Sequence, residues 1–214
     1  MTEKTELEYK WDVPSVSVFP LFLKAAVSSG AHAGEATAVN NRDFYFDTAS
    51  SDFEKRGLVP RLRKCGGGYE LTVKSSGGVV NGLAERREYT FPLSARTFGQ
   101  ARRMACRIIS ERFFTCEERE LRHLFEINCR RRIYTINYCG ATAEMALDNV
   151  RTLVCGRSLH MLETELEYIA GNRGQFSVLA AEITRLSGCR AQYLSKVATA
   201  RGLLKLFETA GGTR

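Results

Sequence analysis

Glu6-Leu7-Glu8-Tyr9-Lys10-Trp11 decides how this chain is read. Its polarity alternates with a period of two, the mark of a β-strand. Leu7, Tyr9 and Trp11 take one face, and Glu6, Glu8 and Lys10 take the other. Alone, such a segment is a half-buried strand with its charged side in water. The same alternation returns along the chain with both signs of charge. Arg61 and Arg63 stand two apart, as do Thr72 and Lys74, Arg86 and Glu88, and Glu144, Ala146 and Asp148. Glu163, Glu165 and Glu167 share one strand face, where they repel one another unless cations stand opposite. If these faces meet inside one closed sheet, they line a cavity suited to an anion and its metal.

Composition sets the bounds. The 214 residues suit one domain, 1–214, and 44% hydrophobic content supplies a core. A net charge of +7 predicts attraction to polyanions. The longest basic run is Arg130-Arg131-Arg132, too short for a nucleic-acid tail. The seven cysteines are odd in number and have no C-x-x-C spacing, which argues against zinc and against a disulfide framework. Reduced thiols, buried as small hydrophobes, and a cytoplasmic location are expected. The acidic N-terminus does not read as a secretory signal, and no apolar run is long enough to span a bilayer. His32, His123 and His160 are isolated and carry no expected role.

Residues 15–29 predict a helix with Val18, Leu21, Phe22 and Ala25 inward and Pro20 in its first turn. Loop or a weak strand is expected over 30–41, and a strand over 42–47. A capped turn at 51–57 leads into a hairpin of 58–64 and 69–74 around Gly66-Gly67-Gly68. A loop over 75–84 and a strand over 85–92 follow. The longest helix candidate is 94–118, whose arginine face (Arg102, Arg103, Arg107) reads as solvated. Strands are expected over 121–129 and 131–138, either separate or as one, then over 143–149 and 159–169. Helices are expected over 172–186 and 194–208. Short turns and alternating polarity favour an α+β fold built on a closed antiparallel barrel with helices outside.

The charged strands resemble those of the CYTH domains, or triphosphate tunnel metalloenzymes. The likeness runs from Glu6 to about Leu204. It is carried by Glu6-x-Glu8-x-Lys10, Tyr45-Phe46-Asp47-Thr48, Arg61-x-Arg63, Thr72-x-Lys74, Arg86-x-Glu88, Arg131-x-x-Tyr134, Glu144-x-Ala146-x-Asp148, Glu163-x-Glu165-x-Glu167 and Ser195-Lys196 with Arg201-Gly202. The resemblance implies an eight-stranded tunnel. It implies that Lys10, Arg61, Arg63, Lys74, Arg86, Arg131 and Lys196 grip a triphosphate. It implies Mg2+ or Mn2+ on Glu6, Glu8, Asp148, Glu165 and Glu167, with Glu88 and Glu144 as reserve ligands. Glu6, Glu8, Lys10, Glu165 and Lys196 become the catalytic candidates. Many members carry Lys where this chain has Cys129, so Arg130 or Arg132 could replace Arg131 in the grip.

The expected activity is metal-dependent removal of the terminal phosphate of a triphosphate, tripolyphosphate first. Thiamine or nucleoside triphosphatase, a class IV-type adenylate cyclase and a non-catalytic polyphosphate-binding module remain as alternatives. No membrane partner is expected, and nucleic acid only as a triphosphate-bearing end.

Overall fold

The computed structural model describes residues 1–211. In chain order the elements are β1 (Thr2–Asp12), α1 (Phe19–Ser28), β2 (His32–Ala33), β3 (Thr37–Asp47), α2 (Asp52–Lys55), β4 (Leu58–Cys65), β5 (Gly68–Ser75), β6 (Gly78–Val80) and β7 (Leu83–Leu93). They continue with α3 (Phe98–Arg112), β8 (Arg122–Tyr138), β9 (Ala141–Val154), β10 (Arg157–Gly171), α4 (Arg173–Ser187) and α5 (Lys196–Gly211).

The strand pairs are antiparallel. β1 pairs with β10 on one edge and with β7 on the other. That joins the ends of the path β10-β9-β8-β3-β4-β5-β7 and closes the expected eight-stranded barrel. Closure removes the open edges that would otherwise invite another chain. β2 and β6 are short outer additions on β8 and β7. The β8–β9 and β9–β10 turns are Cys139-Gly140 and Cys155-Gly156, with both residues at positive φ. That conformation matches the twist of tight two-residue hairpins.

The apolar faces of the wall strands point outward, and helices cover them. Phe22, Ala25 and Ala26 of α1 and Phe176, Leu179, Ala180 and Ile183 of α4 bury Trp11, Met145, Leu147 and Leu166. Trp11 Nε1 donates to Thr184 Oγ1 at 2.8 Å. Ala101, Ala105 and Ile109 of α3 pack on Phe44, Phe46, Leu62 and Leu71. Helix α3 starts at a reciprocal capping box of Thr97 and Gln100. Ala200 of α5 packs with Tyr45, Ile127, Cys129 and Val150, of which Tyr45, Ile127 and Cys129 also line the barrel lumen. So α5 plugs one end of the barrel.

Several boundaries differ from the sequence reading. Leu21 is 43% exposed. A 3-10 turn at Val16–Val18 precedes α1, and the buried stripe is Phe22, Ala25 and Ala26, one position round from Leu21. β3 starts at Thr37 because its early residues pair with 129–133 of β8, which is one continuous strand. α3 stops at Arg112, since Phe113 leaves helical geometry. Arg102 is not simply solvated: it donates to the carbonyls of Glu118 and Leu121. Cys106, Cys116 and Cys129 are buried free thiols, whereas Cys139 and Cys155 are exposed at hairpin turns. Among the described residues, no helix is long and apolar enough to cross a membrane.

Candidate active site

Strand β1 shows why the charged faces matter. Leu7 and Trp11 are buried on its outer face, yet Glu6, Glu8 and Lys10 are 4%, 3% and 9% exposed on the other. Both sides are enclosed, one by helices and one by the barrel itself. The lumen is a cavity of about 750 Å3. It is lined by Glu6, Glu8 and Lys10 from β1, Arg61 and Arg63 from β4, and Lys74 from β5. Arg86 and Glu88 from β7, Arg131 from β8, Glu144 from β9, Glu165 and Glu167 from β10, and Lys196 from α5 complete the charged lining. Asp148 lies fully buried behind Arg131. All the residues singled out from the sequence therefore reach or abut this cavity.

Strand register places them. Lys10 is opposite Glu165 and Asp12 is opposite Glu163. Glu163 is in turn opposite Asp148, which is opposite Arg131. Arg131 clasps Asp148 with a two-pronged fork, Nε to Oδ1 at 2.7 Å and Nη2 to Oδ2 at 2.6 Å, and also reaches Glu165. Arg130 and Arg132 project to the exposed outer wall, so alternation assigns Arg131 to the lumen. Lys196 Nζ lies 2.9 Å from both Asp148 and Glu165 and also bonds Glu163. Lys10 Nζ is 2.7 Å from Glu165 and 3.3 Å from Glu8.

On the facing wall, Lys74 bridges Glu6 at 2.6 Å and Glu88 at 2.9 Å. Arg86 bonds Glu8 and lies 3.3 Å from Glu6. Arg63 forks onto Asp43 at 2.7 and 2.8 Å, with Arg61 3.7 Å from the same carboxylate. Lys4 holds Glu167 at 2.7 Å. Each of these cations has a carboxylate partner, so the lumen is close to formal neutrality.

Asp43, Glu163 and Lys4 belong to this network but were not singled out as site residues from sequence. Asp43 stands two before Tyr45 on a strand whose alternation could have placed it inside. Glu163 was grouped with Glu165 and Glu167 but left out of the ligand set. The structure gathers Asp148, Glu163 and Glu165 so that ligand oxygens of all three lie within 4.8 Å of one another. Glu167 instead sits with Lys4, and Glu6 and Glu8 sit with Lys74 and Arg86. Glu163 Oε2 and Glu6 Oε2 are buried and accept no hydrogen bond. Hard carboxylate oxygens with spare lone pairs fit a divalent cation such as Mg2+ or Mn2+.

Helix α5 is latched in place beside these groups. Arg201 donates to Asp47 at 3.1 Å and lies 2.9 Å from Glu54, which also binds Lys205. Asp47 Oδ1 accepts from the backbone N–H groups of Thr48 and Phe53, fixing the turn that carries Glu54.

Electrostatics divide the carboxylates. Burial works to raise Glu88, but the Lys74 ammonium overrides it and holds the carboxyl at about 2. Burial is likewise overridden at Asp43, which Arg61 and Arg63 hold low. At Glu163 burial wins over Lys196 and Lys10, and the neighbouring Glu165 adds to it, pushing the carboxyl up to about 7. Burial also raises Glu167 despite Lys4.

These shifts predict a stability maximum near pH 5 for metal-free protein. The raised groups, Glu163 above all, penalise folding at neutral pH, and the penalty is relieved as pH falls from about 7 to the unfolded value near 4.5. The depressed groups stabilise fully above their unfolded values. That contribution, about 3 kcal/mol for Glu88, is lost as pH falls from about 4.5 to 2. Melting temperatures measured in EDTA from pH 8 to pH 2.5 should rise, peak and fall. A flat profile between pH 8 and pH 5 would contradict the assignment of Glu163 as a raised group.

Solved structures share this architecture. A candidate adenylyl cyclase from Hippeastrum, described as having a dominant triphosphatase activity, superposes with a TM-score of 0.64 at 18% identity, over 92% of this chain and 95% of its own. A candidate adenylate cyclase from Bacillus halodurans gives 0.58 at 18% identity, over 92% and 96%. The Mimivirus capping enzyme triphosphatase gives 0.51 at 12% identity, over 85% and 87%. At these identities the likeness is one of fold. The CYTH domain family matches residues 4–200, nearly the whole of the barrel and the first turn of α5. A closed antiparallel tunnel with interleaved carboxylates and cations, matched over that span, makes this chain a member of the CYTH domain family.

Proposed function

We propose that this protein is a metal-dependent hydrolase that removes the terminal phosphate of a triphosphate, inorganic tripolyphosphate first. The balance of charge inside the tunnel carries this reading. A triphosphate brings roughly four to five negative charges at neutral pH. The lumen cations are already matched by carboxylates, so the tunnel alone has no net positive charge to offer. About two divalent cations would bring the filled tunnel near neutrality, and buried carboxylates with unused oxygens stand ready to hold them.

Glu6, Glu8, Asp148, Glu165 and Glu167 are the proposed ligands, joined by Glu163. When bound, the metal would supply charge neutralisation at the phosphoryl oxygens and an activated water. Arg61, Arg63, Arg86 and Arg131 offer planar forks to phosphate oxygens, and Lys10, Lys74 and Lys196 offer point charges. The enclosing wall and α5 keep bulk water away, which strengthens each of these contacts. Lys196 is the cation of this grip that arrives on helix α5 rather than on the barrel wall.

A second reading has its own support. The cavity also runs past Leu58, Val59, Val79 and Tyr193, and Tyr193 is 65% exposed. These apolar side chains along the lining would meet an organic group, as in thiamine triphosphate or a nucleoside triphosphate. One assay separates the readings: products from tripolyphosphate, thiamine triphosphate and ATP with Mg2+ or Mn2+. Orthophosphate released fastest from tripolyphosphate is the expected result. Preference for an organic triphosphate would favour the second reading, cyclic AMP would make it a cyclase, and no turnover of any substrate would overturn both.

A further inference from the structure

We propose that the uncovered outer wall of β3, β8, β9 and β10 is a docking surface for a linear inorganic polyphosphate chain. Helices cover these strands at Phe44, Met145, Leu147 and Leu166, but leave Arg130, Arg132, Asn149 and Arg151 exposed. Paired strands share a face, so the register gives a grid. In one row across the strands stand Arg42, Asn128, Arg151 and His160. In the next stand Asn40, Arg130 and Asn149. Arg132 follows two residues along β8. Lys64 extends the first row onto β4, opposite Arg42. Strands lie about 5 Å apart and alternate residues about 7 Å apart, so the cations form a band roughly 20 Å long.

The band is one-sided in charge. Arg130, Arg132 and Arg151 are exposed, and among the described residues no carboxylate lies within ion-pair distance of them. Glu126 is the one carboxylate at the outward positions of this grid. It is nearly buried and engaged by Arg42 and Asn128, and Arg42 remains 54% exposed in its side chain. A surface that served only solubility would mix Lys and Glu, whereas this one is mostly Arg and Asn. Guanidinium groups are weakly hydrated and fork onto phosphate oxygens, and Asn amides add neutral donors.

The occupant follows from what the band lacks. Single-stranded RNA is gripped by stacking its bases on aromatic rings. One ring, His160, is exposed at one end of the band; Phe44 lies beneath Arg42, and Tyr69 packs against Phe98 at the other end, so the band offers no run of rings for successive bases to stack on. A polymer made of phosphates alone asks for nothing more than the band supplies. The band lies on the opposite side of the wall from Arg131, so chain binding there is separate from the tunnel.

The test is binding of long-chain polyphosphate, about a hundred phosphates, to the full chain by fluorescence anisotropy at 50 and 200 mM salt. The triple variant Arg130→Glu, Arg132→Glu, Arg151→Glu should weaken binding about tenfold or more and flatten its salt dependence. Circular dichroism and the hydrolysis rate with tripolyphosphate should be unchanged, because these side chains face away from the lumen. Arg61→Ala, inside the tunnel, should leave most of the long-chain affinity intact. Unchanged affinity in the triple variant, or loss of it in Arg61→Ala alone, would place the chain in the tunnel and overturn the proposal. Tighter binding of a single-stranded RNA homopolymer at equal phosphate concentration would also overturn it, in favour of a nucleic-acid surface. Binding is read without turnover, so an inactive protein that still binds would count against the hydrolase reading and not against the docking surface.

Discussion

Lys196→Ala lowers kcat/KM for a triphosphate by about 100-fold or more. The ammonium stands among Asp148, Glu163 and Glu165, and it is the one tunnel cation of the proposed grip delivered by α5. In the resting protein it offsets charge that would otherwise be stranded. Its own pKa is raised well above the ordinary value: burial opposes its charge, but Asp148, Glu163 and Glu165 outweigh burial. Removing it leaves three buried carboxylates with only Arg131 and Lys10 to answer them. Breaking a buried pair in this way costs on the order of 3–5 kcal/mol. The melting temperature in EDTA should drop clearly, and added Mg2+ should recover more of it in the variant than it adds to the wild type, because a divalent ion can replace the lost ammonium. Steady-state rates and paired melting curves with and without metal measure both effects. Wild-type activity together with an unchanged melting temperature would remove Lys196 from the site.

Glu165→Gln should be equally damaging to turnover, with a different signature. Its carboxylate receives Lys10 at 2.7 Å, Lys196 at 2.9 Å and one hydrogen bond from Arg131 Nη2. Burial works against its charge, but Lys10, Lys196 and Arg131 hold it well below the usual carboxylate range. The amide keeps the shape and removes the charge. The lumen then gains one net positive charge, which favours binding an anion, and loses a hard oxygen ligand for the proposed metal. So kcat should fall about 100-fold or more, KM should not rise, and the metal concentration for half-maximal activity should increase. A variant that lost affinity but kept kcat would identify Glu165 as a substrate-positioning residue and not a metal ligand.

These two residues also mark what could be read early. Glu165 was legible because two-residue alternation on a strand fixes which side chains share a face. The same rule placed Glu6 with Lys10 and Arg61 with Arg63. It was insufficient for Asp43, whose strand reads mainly as an aromatic run, and the early part of β3 reads as loop or a weak strand. Those residues, Thr37 to Asn41, become a strand because β8 pairs with them. Leu21 failed for a related reason: a helix's inward face depends on where the helix starts, and a 3-10 turn moved that point.

The sequence by itself determined the elements, the faces, and the family pattern that links them. Alternation gave Arg131 and Arg130 opposite sides without saying which side was inside. Only the tertiary structure decided that, because inside and outside exist only once β1 closes on both β10 and β7. Closure also brought Lys74 to Glu6 and Lys196 to Glu163, pairs separated by most of a barrel wall or by a whole helix in the chain. Local periodicity carries the direction of a side chain. It carries nothing about which distant charge will stand opposite, and in a low-dielectric lumen that opposite charge sets whether a carboxyl is held near 2 or pushed toward 7.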